Sequence, residues 1–182
     1  MRPTAHHRGG VRVILAVLAT LVTSAAVAAQ SAGAAVPFYK IEAEHSGKAL
    51  TISDLSTVNG EQVRQRTFVL GYWNHHWAKL PQDDGTYMFR TRFSRQCMSV
   101  GGNWWQSGAP VIQQPCDKAN RSQRWILRGV RGFTYIENLR SKLVITVAPW
   151  WGTIFAEMAP VVQQPLDYKL QQFYRFTFIA NG

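Results

Sequence analysis

Aromatic residues return along this chain at one fixed interval. Tyr39, Tyr87 and Tyr135 are spaced 87 − 39 = 48 and 135 − 87 = 48 residues apart, and Trp77, Trp125 and Phe173 keep the same step. Ser46, Ser94 and Ser141 fall between them in register to within one residue. The run Ala109-Pro-Val-Ile-Gln-Gln-Pro-Cys-Asp117 is echoed by Ala159-Pro-Val-Val-Gln-Gln-Pro-Leu-Asp167, with a weaker form at Gly60–Arg66. A unit this short cannot bury its apolar face alone, so three copies must close on one another. That restricts the fold more than any other feature of the chain.

Each unit reads as short strands. Phe133–Glu137 and Tyr174–Phe178 are rich in β-branched and aromatic residues with partial alternation, and turn signals separate such runs at Asn59-Gly60, Asp83-Asp84-Gly85, Gly101-Gly102-Asn103 and Ser107-Gly108. No stretch beyond residue 36 holds a helical apolar period for three turns. The expected fold is all-β: about 12 short strands in three repeats of ~48 residues, closed into a barrel that leaves no open sheet edge.

The first 35 residues read differently. Arg2, Arg8 and Arg12 precede the apolar run Val13–Val22, and Ala26-Val-Ala28 and Ala32-Gly-Ala34 offer small-x-small cleavage patterns. This predicts a secretory signal peptide over 1–35 and one domain over 36–182, with repeats at about 37–82, 83–130 and 131–180. A membrane anchor needs about 20 strongly apolar residues, and Ala, Ser and Gln dilute the second half of this segment. An extracellular protein with no membrane span, monomeric, is expected.

Of 20 Lys+Arg and 10 Asp+Glu, three arginines lie in the leader, so the remainder carries 17 − 10 = +7. The cations are dispersed in two loose clusters, Arg90–Arg95 and Arg121–Arg131, with no run of five. A solvated basic face, or attraction to acidic glycans, fits better than nucleic acid. A hydrolase needs paired carboxylates or an activated nucleophile, and no motif supplies either. His75-His76 is a weak metal candidate, because neighbours in a strand point to opposite faces; one His inward and one outward is expected. Neither metal nor cofactor is implied, and the chain is not expected to be an enzyme.

Ser122-Gln123-Arg124-Trp125 matches the Gln-x-Trp motif of ricin-type β-trefoil lectins, and the motif recurs as Asn74-His-His-Trp77 and Gln171-Gln172-Phe173. The stretch Tyr39 to Leu50, with its Ser46-Gly47-Lys48, and Gly-x-x-Val before the third strand (Gly60–Val63, Gly108–Val111) add to the resemblance. It covers residues 37 to 180. The resemblance implies that each motif aromatic fills the core of its repeat, and that Cys97 and Cys116 form a disulfide stapling the second repeat. An even cysteine count in an extracellular chain agrees with this.

Galactose-binding members of that family use an Asp in the second strand, an aromatic platform after the third, and an amide just before the motif Trp. Here the Asp position holds Thr51, Ser99 and Thr146; the platform position holds Arg66, Gln114 and Gln164; the amide position holds Asn74, Ser122 and Leu170. The usual constellation is therefore degraded in every repeat. Replacement platforms are Asn103-Trp104-Trp105, Pro149-Trp150-Trp151 and Tyr72-Trp73, since a pyranose stacks its C–H face on an indole and spends hydroxyls on nearby amides. The candidate carbohydrate contacts are Thr51, Arg66, Trp73, Asn74, His75, Asn103, Trp104, Gln114, Trp151 and Gln164, with the first repeat the best single site. The leading expectation is a secreted, non-catalytic carbohydrate-binding trefoil. The alternative is a trefoil that binds a protein, as a toxin's cell-binding subunit or an enzyme inhibitor.

Overall fold

The computed structural model describes residues 35–103, 105–130 and 132–182, without the side chain of Asn103. The leader reading, and the candidate Trp104, lie outside these residues. Twelve strands follow in order: β1 (Pro37–Ala43), β2 (Ala49–Ile52), β3 (Val63–Arg66), β4 (Trp77–Pro81), β5 (Tyr87–Thr91), β6 (Cys97–Val100), β7 (Val111–Gln114), β8 (Trp125–Val130), β9 (Phe133–Asn138), β10 (Val144–Val147), β11 (Val161–Gln164) and β12 (Tyr174–Asn181). The first and fourth strands of the repeats pair around a ring. β1 bonds β4, β4 bonds β5, β5 bonds β8, β8 bonds β9, β9 bonds β12, and β12 returns to β1. Closure removes the edges of this six-stranded barrel.

The second and third strands form three hairpins, β2–β3, β6–β7 and β10–β11. Single bridges Gln62↔Ile112, Arg64↔Pro160 and Pro110↔Val162 join them into a triangle over the barrel. The inner strands β2, β6 and β10 are buried along all four residues, which is why they read as apolar runs rather than alternations. One core, from Ile41 and Leu50 through Phe89 and Met98 to Ile136 and Ile145, fills the space between barrel and triangle.

Two of the repeat's rings occupy the expected place and the third does not. Trp77 and Trp125 are fully buried, and each indole Nε1–H donates to a second-strand carbonyl, Leu50 O at 2.9 Å and Met98 O at 3.1 Å. In the third repeat Tyr174, not Phe173, opens the fourth strand and joins the core cluster. The interval there is 174 − 125 = 49. The β10–β11 connection has 13 residues (148–160) where β6–β7 has ten (101–110), and shorter connections elsewhere absorb all but one of the extra residues. Phe173 is also buried, but it packs against Phe133 and Tyr135 rather than within the central cluster.

The turn before each third strand needs a left-handed residue. Gly60 and Gly108 take it at φ +88°, and in the third repeat Met158 takes it at φ +61°, where a side chain is disfavoured. Cys97 and Cys116 are disulfide-bonded across the base of the β6–β7 hairpin, with Cα atoms 4.9 Å apart.

Candidate functional site

Each fourth strand is preceded by a 3-10 turn: Trp73–His75, Arg121–Gln123 and Leu170–Gln172. The last residue of each turn is buried and accepts one backbone N–H. Gln123 Oε1 takes Asp117 N at 2.9 Å, Gln172 Oε1 takes Asp167 N at 2.8 Å, and His75 Nδ1 takes Val69 N at 3.1 Å. His75 therefore replaces the glutamine of its repeat and supplies the one inward histidine expected of the pair. The internal amide of the third repeat is Gln172, which places Gln171 rather than Leu170 at the amide position before the core ring.

His76 departs from expectation, because it is buried too. Strand alternation does not apply here: His75 ends a 3-10 turn and His76 caps it. The His76 ring stacks on Phe68 at 6.0 Å between centroids, with the Arg92 guanidinium 3.4 Å from Nδ1. Burial, with the cation Arg92 beside it, lowers its pKa. With Nδ1 of His75 engaged by Val69, the pair presents no chelating face, and among the described residues no group of His, Cys, Asp and Glu is arranged to hold a metal.

The degraded sugar positions are sealed as well as substituted. Thr51, at the Asp position of the first repeat, is 0% exposed and donates to Ile52 O at 3.1 Å. Asn74 spends its Nδ2 on Thr51 Oγ1 at 3.0 Å and Ile52 O at 2.7 Å. Ser99 donates to Val100 O at 3.2 Å, and Thr146 donates to Val144 O at 3.3 Å while accepting Gln172 Nε2 at 3.2 Å. A hydroxyl that reaches its own backbone no longer needs a ligand. Of the five first-repeat candidates, Thr51, Asn74 and His75 converge inside the protein and Arg66 is half-buried. Trp73 alone stands out, 51% exposed with Arg92 over its ring at 4.5 Å. Gln114 and Gln164 are half-buried at their hairpin ends.

The exposed rings sit on loops that neighbouring repeats hold in place. Glutamines one residue earlier than the platform positions do the holding. Gln65 Nε2 donates to Ile154 O at 2.7 Å and Ala156 O at 3.0 Å; Gln113 Nε2 donates to Ser56 O and Val58 O, both at 3.0 Å; Gln163 Nε2 donates to Gln106 O at 3.0 Å. Each glutamine's Oε1 accepts the repeat's serine: Ser46 at 2.8 Å, Ser94 at 2.7 Å and Ser141 at 2.7 Å. The periodic serines and the Gln-Gln echo thus mark a three-way clamp between repeats, a role their spacing alone does not reveal.

The third-repeat loop is the most strongly held. His45 Nε2 bonds Ile154 O at 2.8 Å, Arg64 Nη1 donates to Met158 O at 2.9 Å, and Glu157 accepts Thr67 N at 2.9 Å beside Lys48 at 2.8 Å. Burial raises the Glu157 pKa, but the hydrogen bonds from Lys48 and Thr67 outweigh it and hold the group at about 2. On this loop Trp150 lies under Arg64 at 5.3 Å, while Trp151, at φ +51° on a tight turn, is 87% exposed.

The ricin-type beta-trefoil lectin domain-like family matches residues 27–114. No curated protein sequence matches the chain. A designed threefold-symmetric protein, ThreeFoil, is similar at 28% identity and TM-score 0.71, over 77% of this chain and 97% of its own. The C-half of the earthworm R-type lectin, solved with GalNAc, shares the fold at 17% identity and TM-score 0.61, over 78% and 98%. An exo-β-1,3-galactanase from Clostridium thermocellum is matched at 19% identity and TM-score 0.71, over 79% of this chain but 30% of the enzyme. Residues 27–114 thus match the ricin-type β-trefoil lectin-like family, and the described chain folds as a β-trefoil like that of its structural neighbours.

Proposed function

We propose that this is a secreted, non-catalytic carbohydrate-binding trefoil whose sugar contacts lie on loop indoles rather than at the positions galactose-binding relatives use. One contrast carries the reading. The Asp-position hydroxyls are sealed into the protein, while Trp151 is held fully presented on a clamped loop. An apolar ring kept in solvent on a rigid support suits stacking against a pyranose face, since little ordering cost remains to be met on binding. Secretion is supported by the leader-like N-terminus and by the Cys97–Cys116 disulfide.

Retention on insoluble polysaccharide, measured beside thermal melts, tests this. Trp151→Ala should keep the melting temperature and lose retention. A second reading, protein binding, is favoured by a groove of about 420 Å³ lined by Val130, Phe133, Tyr168, Leu170 and Phe173. A glycan array on which the wild-type protein holds no saccharide would overturn the first reading and leave the second.

A further inference from the structure

A cleft of about 640 Å³ separates the second repeat from the third, and its chemistry is unlike that of a neutral-sugar site. Its walls come from the β7–β8 connection (Asp117, Asn120, Arg121), from the β9–β10 turn (Arg140, Lys142) and from Trp105 on the β6–β7 loop. None of these occupies an Asp, platform or amide position of the galactose-binding constellation, and only Trp105 belongs to a replacement platform named from the sequence. The two walls are fixed to each other: Asn138 Nδ2 donates to Ser122 O at 2.9 Å, and Leu139 N donates to Arg124 O at 2.8 Å. Asn120 Oδ1 accepts Ser122 N at 3.0 Å, and Asn138 Oδ1 accepts Arg140 N at 3.0 Å, so the backbone at both rims is also fixed.

Three cations and one carboxylate line this cleft. Asp117 is turned to its own loop, accepting Ala119 N at 2.9 Å. Lys142 lies 3.9 Å from Glu137, at the limit of an ion pair. Among the described residues neither Arg121 nor Arg140 is paired with a carboxylate. The Arg140 guanidinium instead lies over Trp105 at 4.5 Å, and the indole remains 63% exposed. Positive groups gathered beside an open aromatic ring match a ligand that is ring-shaped, apolar on one face and negatively charged at its edge.

The geometry points to an anionic glycan, a pyranose bearing a carboxylate, stacked on Trp105 with its acid group taken by Arg121, Arg140 and Lys142. This rests on the carbohydrate-binding reading and names the substrate class for a site apart from Trp151. A guanidinium meets a carboxylate through two parallel N–H···O bonds, which a neutral hydroxyl cannot reproduce.

Binding of the full chain to oligogalacturonate and to its methyl ester, which keeps the ring and removes the charge, tests the inference. Oligogalacturonate should bind about ten-fold or more tighter than the ester, and its affinity should fall as salt rises. Trp105→Ala should weaken both ligands. The double variant Arg121→Gln/Lys142→Gln, both exposed side chains, should erase the preference for the acid while the melting temperature holds. Equal binding of acid and ester would overturn the inference and leave carbohydrate binding standing. Equal retention of poly-glutamate, which has no sugar face, would overturn it by showing plain polyanion attraction. Failure to bind any saccharide would remove both readings together.

Discussion

His75 Nδ1 accepts the backbone N–H of Val69 at 3.1 Å, standing where the second and third repeats place a glutamine oxygen. Because Nδ1 accepts, the neutral ring carries its proton on Nε2. That atom is buried with no hydrogen-bond partner among the described residues. Burial, followed by the neighbouring Arg66, lowers the His75 pKa to about 4.

This substitution should make the fold acid-sensitive. Between the ordinary histidine value of 6.5 and about 4, the unfolded chain binds a proton that the folded chain refuses. Stability is then fully present above that window and falls as pH drops through it. His45 and His76, also lowered, act in the same direction. Restoring the repeat's consensus with His75→Gln should shrink the drop in melting temperature between about pH 7 and about pH 4.5. An undiminished drop in calorimetry would assign the effect to other groups.

The core register gives a second prediction. Trp125→Ala removes a fully buried indole and its bond to Met98 O, at a cost of about 3–5 kcal/mol. Tyr174→Leu should cost more than Phe173→Leu, since Tyr174 sits in the core and donates to Gln171 O at 3.2 Å. Burial pushes its phenol pKa up, so it stays neutral and remains a donor. Denaturant melts ranking the two leucine variants the other way would return the core position to Phe173.

What could be read from the sequence divides along physical lines. The trefoil was legible because core rings such as Trp77 and Trp125 recur wherever a repeat must fill the same space. Tyr174 was hidden by a length change in the β10–β11 loop, which a fixed 48-residue count cannot see. Strand alternation does not hold at His76, because the residue caps a 3-10 turn and both imidazoles go inward. Thr51 and Asn74 have the residue types of a sugar site, and only their bonds to each other and to Ile52 O show them turned inward. Arg140 and Trp105 are 35 residues apart in sequence (140 − 105 = 35) and meet only through the packing of two repeats.

The staple should be complete. Cys97 and Cys116 account for both cysteines, and neither is free. Thiol titration under denaturing, non-reducing conditions should find no reactive thiol. Reduction should destabilise by about 3 kcal/mol, the chain-entropy cost of reopening a loop of this size, without abolishing folding, because β6 and β7 retain their ladder. Two titratable thiols in the unreduced protein would refute the bond.

The clamp residue Gln65 links stability to binding and so separates a positioning role from a contact. Its side chain is fully buried, and its Nε2 serves two carbonyls of the loop that carries Trp151. Gln65→Leu keeps the volume and removes both donors. Ile154 O keeps His45 Nε2 at 2.8 Å and Ala156 O keeps Ala159 N at 3.4 Å, so each lost bond costs about 0.5–1.5 kcal/mol rather than the full penalty of an unpartnered carbonyl. The backbone bonds Gln65 N to Ala159 O at 2.9 Å and Met158 N to Gln65 O at 2.8 Å survive the change. The barrel should therefore stay folded while residues 153–158 gain hydrogen exchange. Retention on neutral polysaccharide should fall with Trp151 no longer held in place, although Gln65 touches no ligand. Binding of oligogalacturonate in the Trp105 cleft should not change, because Gln163 and Gln106, not Gln65, clamp that loop. Unchanged exchange at 153–158 would show that His45, Arg64 and Glu157 suffice to hold the loop, and would remove Gln65 from the account of binding.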